Sequence, residues 1–208
     1  MIEEVKNAVL KGKRKTIESI ICTALDNGAS ASEILASMTA AMDEIGIGFQ
    51  NNEIYVPEML VAATTMQKGV DVVRPLLAAG EIGGLGKVVI GTVYGDLHDI
   101  GKNLVKLMIE SAGFEIVDLG VNVPPASFVE AVKNDPEIKI VACSALLTTT
   151  MDSMRETVKL LADAGLRDRV KVMVGGAPIT QAFCDEIGAD IYTVDAASAA
   201  EAAKAAVA

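Results

Sequence analysis

The chain changes its hydrophobic rhythm once, near residue 80. Up to there apolar residues return every three or four positions, the period that gathers them on one side of a helix. Ile2 to Leu10 shows it first, then Thr16 to Leu25, which closes on Asn27-Gly28 as a helix C-terminus should. Ser30 and Glu33 form a capping-box pair ahead of Ile34, Leu35, Met38, Ala41, Met42 and Ile45. Pro57 suits a first helical turn, where its missing N–H is not needed. Met59, Leu60, Ala63, Met66, Val70, Val73 and Leu77 then keep helical spacing up to Ala79-Gly80. Four such segments with short connections predict a small four-helix bundle over 1–80. Residues 81–86 (EIGGLG) read as a flexible linker.

Beyond Lys87 short apolar runs alternate with helical patterns. Strands are predicted at 87–94 (KVVIGTVY), 114–119 (FEIVDL), 138–143 (IKIVAC), 170–174 (VKVMV) and 190–194. Helices are predicted at 102–112, 126–133, 152–164 and around 180–187, with an alanine-rich helix at the end. Five strand–helix units imply a doubly wound parallel sheet, because parallel neighbours need crossovers. About 120 residues with five strands suit the flavodoxin-like (Rossmann-like) order over 87–208.

Composition narrows the function. The chain is 51% hydrophobic but only 3% aromatic, so its core is aliphatic. No apolar stretch reaches bilayer-spanning length, and MIEEVKNAVLKGKRK lacks the order of a secretory signal; the expectation is a cytoplasmic protein. A net charge of -10 repels nucleic acid and anionic membrane. The basic run Lys11 to Lys15 reads as a solvated turn. Cys22, Cys143 and Cys184 contain no CxxC spacing, which argues against a disulfide framework or structural zinc.

Ligands of open α/β sheets bind beyond the carboxyl ends of the strands. The loops there are 95–101 (GDLHDIG), 144–150 (SALLTTT) and 175–178 (GGAP). His98 is the chain's sole histidine, with Asp96 two residues before it. A carboxylate beside an imidazole fixes the tautomer and leaves the other nitrogen for a metal. Zinc would need more ligands than this loop supplies. One protein ligand suffices when a macrocycle already holds the metal, as in haem or cobalamin. Ser144 and Gly175-Gly176 leave room between strands and helices, and Thr148, Thr149 and Thr150 add hydroxyls. A slot of that kind favours cobalamin, whose long polar tail haem lacks. The Ser144 and Gly175-Gly176 loops each also read as tight strand-to-helix turns, and a loop histidine taken alone as an ordinary surface residue.

Taken together the loops resemble the family that binds cobalamin base-off with histidine on. The shared pattern is Asp-x-His-x-x-Gly, Ser-x-Leu and Gly-Gly: here Asp96, His98 and Gly101, then Ser144 and Leu146, then Gly175 and Gly176. The resemblance implies that His98 takes the lower axial place on cobalt, with Leu97, Asp99 and Ile100 around it. The nucleotide tail would lie by Ser144, Thr148 and Gly175-Gly176. Thr150 falls where methyl-transferring relatives place a hydroxyl against the Asp–His pair. The helical half is similar to the cap of cobalamin-dependent methionine synthase and of small corrinoid proteins of methanogens and acetogens. Their upper-face Phe and aliphatic residue, seven apart, match Phe49 and Val56, although Phe49 reads equally well as bundle core.

The implied activity is methyl carriage. Cobalt(I) accepts a methyl group from a substrate-specific methyltransferase and delivers it to an acceptor methyltransferase, with a reductive activase rescuing oxidised cobalt. Asp96 would exchange a proton as His98 leaves and returns, and Gly83, Gly84 and Gly86 would let the cap move. Three alternatives stay open: an adenosylcobalamin mutase subunit, a cobalamin-dependent regulator, and a flavodoxin-like domain without cofactor.

Overall fold

The computed structural model describes residues 1–77 and 84–208. The helix end predicted at Ala79-Gly80, and residues 81–83 of the predicted linker, lie outside them. Two compact units result: Met1–Gly84 together with Ser111–Gly113, and Leu85–Glu110 together with Phe114–Ala208.

The first unit holds α1 (Ile2–Leu10), α2 (Ile17–Asp26), α3 (Ala31–Gln50) and α4 (Val56–Val73). Ser30 caps α3 as its sequence implies. Its hydroxyl accepts from the Glu33 N–H at 3.2 Å, while the Glu33 carboxylate accepts from the Ser30 N–H at 2.9 Å. Ile17, Ile21, Ile34, Met38, Met59 and Met66 are fully buried, so the alternation of apolar faces becomes a common core. Gly69 allows α4 to lie close to α3, since a β carbon there would stand 2.4 Å from Met38 Sδ. Two boundaries differ from expectation. Helix α3 runs on to Gln50, which puts Phe49 in its last turn. Helix α4 stops at Val73 rather than continuing through Leu77, and the chain passes into a 3₁₀ turn at Arg74–Leu76. Pro75 lacks the N–H that a further α turn requires.

The second unit is a parallel sheet of β1 (Lys87–Thr92), β2 (Glu115–Asp118), β3 (Ile138–Ser144), β4 (Lys171–Gly175) and β5 (Ile191–Tyr192). Its helices are α5 (Ile100–Ser111), α6 (Pro125–Asn134), α7 (Met151–Asp163), α8 (Gln181–Ile187) and α9 (Ala196–Val207). The strand order is β2-β1-β3-β4-β5, the flavodoxin-like arrangement. Val88 to Thr92 of β1 are buried without interruption, as suits a strand inside a parallel sheet covered on both faces. Val89, Val141, Val172 and Val174 pack in one cluster with Phe128 and Leu161. The last strand is only two residues long, against the five expected.

The chain runs outward to β2 on one side of β1 and to β3 on the other. This makes the gap between β1 and β3 the topological switch point. Pairing there continues to Thr92 opposite Ser144, so the loops after β1 and β3 leave the sheet at one level.

Candidate functional site

Those two loops meet at Asp96. The residue is completely buried, although it stands in a loop at the sheet's rim. A buried carboxylate is tolerable only when its lone pairs are filled, and here five donors converge on it. Oδ1 accepts from the His98 N–H at 3.1 Å and from His98 Nδ1 at 2.7 Å. Oδ2 accepts from the N–H groups of Leu146 at 2.7 Å and Leu147 at 3.2 Å, and from the Thr150 hydroxyl at 3.0 Å. Burial pushes the carboxyl up. The N–H groups of Leu146 and His98, the His98 ring and the Thr150 hydroxyl outweigh it and hold the group well below the usual carboxylate range.

An ionised Asp96 places the proton of a neutral His98 on Nδ1, leaving Nε2 with a free lone pair. The imidazole itself is half exposed. Its ring is thus oriented from behind by a buried anion and open to a ligand in front. The Thr150 hydroxyl also lies 2.9 Å from the Leu147 carbonyl, so its one proton has two acceptors. Among the described residues no group of three or more His, Cys, Asp or Glu could hold a metal ion.

The predicted residues divide by role. Asp96, His98 and Thr150 are joined directly. Leu146 joins them through its backbone, its side chain facing outward. Leu97 and Ile100, at 71% and 85% exposure, flank the histidine, and Asp99 accepts from the Asn103 side chain at 3.0 Å. Thr148 is exposed and its hydroxyl does not reach Asp96 as that of Thr150 does. Ser144 ends β3 half-buried beside Gly175 at the end of β4. Gly101 lies in the first turn of α5. Phe49 and Val56 belong to the first unit. Phe49 is half-buried, and Val56 opens α4 beside exposed Tyr55 and Leu60.

Gly176 is the strictest of the small residues. Its φ is +126°, and a β carbon would stand 1.8 Å from the Ala145 carbonyl oxygen. The loops after β3 and β4 touch backbone to backbone there. Further apolar side chains stand exposed on the loops beyond β1, β3 and β5: Tyr94, Leu147 and Val194. Exposed apolar groups at a rim that also carries a few oriented polar atoms are the usual make-up of a ligand site.

Several participants escaped sequence reasoning. Leu147 adds a backbone donor. Buried Thr92 donates its hydroxyl to the His98 carbonyl at 2.8 Å. Lys102, almost fully buried at the start of α5, pairs with Asp118 at 2.8 Å and so ties α5 to the end of β2. Burial pushes Asp118 up, but Lys102, the Gly120 N–H and Lys106 bring it down to about 2. A lysine directly after Gly101, in the first turn of the helix that precedes the acidic-ended strand β2, was the available signal.

Residues 86–204 match the family described as B12 binding domain, and residues 1–74 match a second family of that description. The chain is 40% identical to the dimethylamine corrinoid protein of Methanosarcina barkeri, over 98% of this chain and 96% of that one. Among solved structures, a cobalamin-binding protein from Desulfitobacterium hafniense aligns with a TM-score of 0.82 at 32% identity, covering 100% of this chain and 99% of that one. The methanol:cobalamin methyltransferase complex MtaBC from Methanosarcina barkeri aligns with a TM-score of 0.88 at 26% identity, covering 99% of this chain and 79% of that one.

Proposed function

We propose that this chain, which belongs to the B12-binding family of corrinoid proteins, is a methyl carrier that holds a cobalamin through His98 and serves two methyltransferases in turn. The observation that carries this reading is the half-exposed imidazole whose Nδ1 rests on the fully buried Asp96.

The residues fit the cofactor. One nitrogen ligand is presented, as a metal already enclosed by a macrocycle requires. Leu97 and Ile100 supply an apolar setting on either side of it. The small residues Ser144, Gly175 and Gly176 at the ends of β3 and β4 are the proposed bed for the nucleotide tail. When bound, the cofactor supplies a cobalt centre that takes up and gives away a methyl group. The protein's work is to hold the ligand. Asp96 keeps the Nδ1 proton in place while Nε2 is bound, which raises the ring's strength as a donor. Were the ring free of the metal, the buried Asp96 carboxylate would balance any positive charge on it. Thr150 holds the far oxygen of Asp96 and so fixes the plane of the carboxylate.

In this reading residues 1–80 form the cap, 81–86 the linker and 87–208 the cobalamin domain. The donor is a substrate-specific methyltransferase, the acceptor a second one, and a reductive activase restores the cofactor, all in the cytoplasm. An adenosylcobalamin mutase subunit is the weaker reading, since relatives matched over nearly the whole chain are dimethylamine and trimethylamine corrinoid proteins.

The test is reconstitution with methylcobalamin. The wild type is expected to show the base-off, histidine-on spectrum and His98→Ala to lose it, because no second imidazole exists in the chain. The same spectrum from both proteins would remove His98 from the cobalt.

A further inference from the structure

The loop that presents His98 needs more than Asp96 to hold it, and part of the support comes from the far side of β1. The β1–β2 ladder ends regularly at Ile90 opposite Asp118. The chain beyond β2 nevertheless stays with β1. The Leu119 N–H donates to the Ile90 carbonyl at 2.8 Å, the Thr92 N–H to the Gly120 carbonyl at 2.9 Å, and the Val123 N–H to the Thr92 carbonyl at 2.9 Å. Val93 and Val123 then form a parallel bridge. Between these fixed points Val121 and Asn122 are surplus, and they arch out of the ladder as a bulge does.

Asn122 takes φ +55°, the left-handed region that asparagine enters more readily than other residues with a side chain. Arched in this way, it meets the histidine loop twice. Its N–H donates to the Asp96 carbonyl at 2.9 Å, and its Oδ1 accepts from the Gly95 N–H at 2.8 Å. Gly95 is itself left-handed at φ +83°, and the Asp96 N–H closes the turn onto Val93 at 3.1 Å. One residue thus grips the two peptide groups that flank the Gly95–Asp96 step, from which the Asp96 side chain departs.

We infer that Asn122 is a positioning residue for His98. It clamps the backbone on either side of the Gly95–Asp96 step, and through Asp96 it sets where the imidazole stands and which ring nitrogen carries the proton. This rests on the reading of His98 as the cofactor's ligand only for its purpose; the clamp exists in the cofactor-free protein and is tested there.

The chain's sole imidazole makes the test direct. Asn122→Gly keeps the left-handed backbone and removes the Oδ1 acceptor, whereas Asn122→Asp keeps both the backbone and an acceptor. In the cofactor-free protein, NMR reads the hydrogen-exchange rate of the Gly95 amide and the Nδ1–H against Nε2–H tautomer ratio of the neutral ring. Asn122→Gly is expected to speed Gly95 exchange about tenfold, the factor one net hydrogen bond supplies, and to shift the ring away from a single Nδ1–H form. Asn122→Asp should bring both back to within about twofold of wild type. With methylcobalamin bound, the glycine variant should show a larger histidine-off fraction in its spectrum. Unchanged exchange and tautomer ratio in Asn122→Gly, or failure of Asn122→Asp to restore them, overturns the clamp. Should the glycine variant not fold, the wild type decides. A Gly95 amide exchanging at the rate of an open loop contradicts the proposal, and protection of about tenfold or more upholds it. If the wild type takes up no cobalamin, the ligand reading fails while the cofactor-free result on the clamp stands.

Discussion

Gly175 and Gly176 look alike in sequence, and alanine at the two positions should have opposite consequences. At Gly176 the added β carbon would stand 1.8 Å from the oxygen, 2.8 Å from the carbon and 3.2 Å from the nitrogen of Ala145. All three are backbone atoms, so no rotamer relieves the clash. The φ of +126° adds strain of about 1–3 kcal/mol for any residue with a side chain. Relief by separation would break the Ala145 N–H bond to the Gly175 carbonyl, at 3.1 Å, for about 1 kcal/mol more. Gly176→Ala is therefore expected to cost about 3 kcal/mol in total. At Gly175 the nearest atom to an added β carbon is the Thr193 oxygen at 3.8 Å, an ordinary contact. That variant should keep wild-type stability or gain about 0.5 kcal/mol from a stiffer unfolded chain. Urea unfolding followed by far-UV circular dichroism suits a chain without tryptophan. With a slope of about 2 kcal/mol/M, Gly176→Ala should lower the midpoint by about 1.5 M while Gly175→Ala stays within about 0.3 M. Equal midpoints for the two variants would refute the reasoning. Gly175→Ala then serves as the folded protein in which to measure whether the space beside Ser144 is needed for cobalamin.

Three further outcomes are expected. Asp96→Asn sets an NH₂ against N–H and O–H donors whichever way the amide turns, and should cost about 2–4 kcal/mol in the same urea assay. Lys102→Met leaves Asp118 with Lys106 and the Gly120 N–H only. Because Asp118 is depressed to about 2, its contribution is complete above the ordinary aspartate value of 3.8 and disappears as pH falls toward 2. Midpoints measured at pH 7, 4 and 2.5 should show the variant weaker by about 1–3 kcal/mol at pH 7 and nearer to wild type at 2.5. For the thiols, burial pushes Cys143 up to about 12 and also raises Cys184, helped by Asp185 and Asp190, whereas Cys22 is exposed. Titration with a thiol reagent at pH 8 should find Cys22 reacting promptly and the other two only after urea is added; prompt reaction of Cys143 would contradict the packing of β3.

The sheet order was legible because each parallel strand announces its crossover with a stretch of helical periodicity, and five such units leave few arrangements. The Asp96–His98 pair was legible because it is built of side chains with distinctive chemistry, whereas Thr150 was singled out from its neighbours Thr148 and Thr149 only by the family resemblance. What stayed hidden is carried by main-chain groups. The N–H groups of Leu146 and Leu147 complete Asp96, yet any residue but proline in their place offers the same donor. Asn122 was overlooked because its role depends on a left-handed backbone imposed by the ladder between β1 and the loop after β2. The end of α4 could have been read from Pro75, but the apolar spacing through Leu77 outweighed it. Lys102 reads as a helix-surface lysine until the helix is seen to press it against Asp118.

Three of the five donors to the Asp96 carboxylate come from residues 50, 51 and 54 positions further along the chain. During synthesis the histidine therefore emerges long before the far oxygen of its aspartate is covered. A nascent chain that ends within α6 carries the imidazole and its aspartate, but neither β3 nor the turn that follows it. Such an intermediate lacks the three donors that cover the far oxygen of Asp96, so that oxygen is left to water. The full donor set around the histidine's aspartate is therefore assembled only with the docking of β3 against β1.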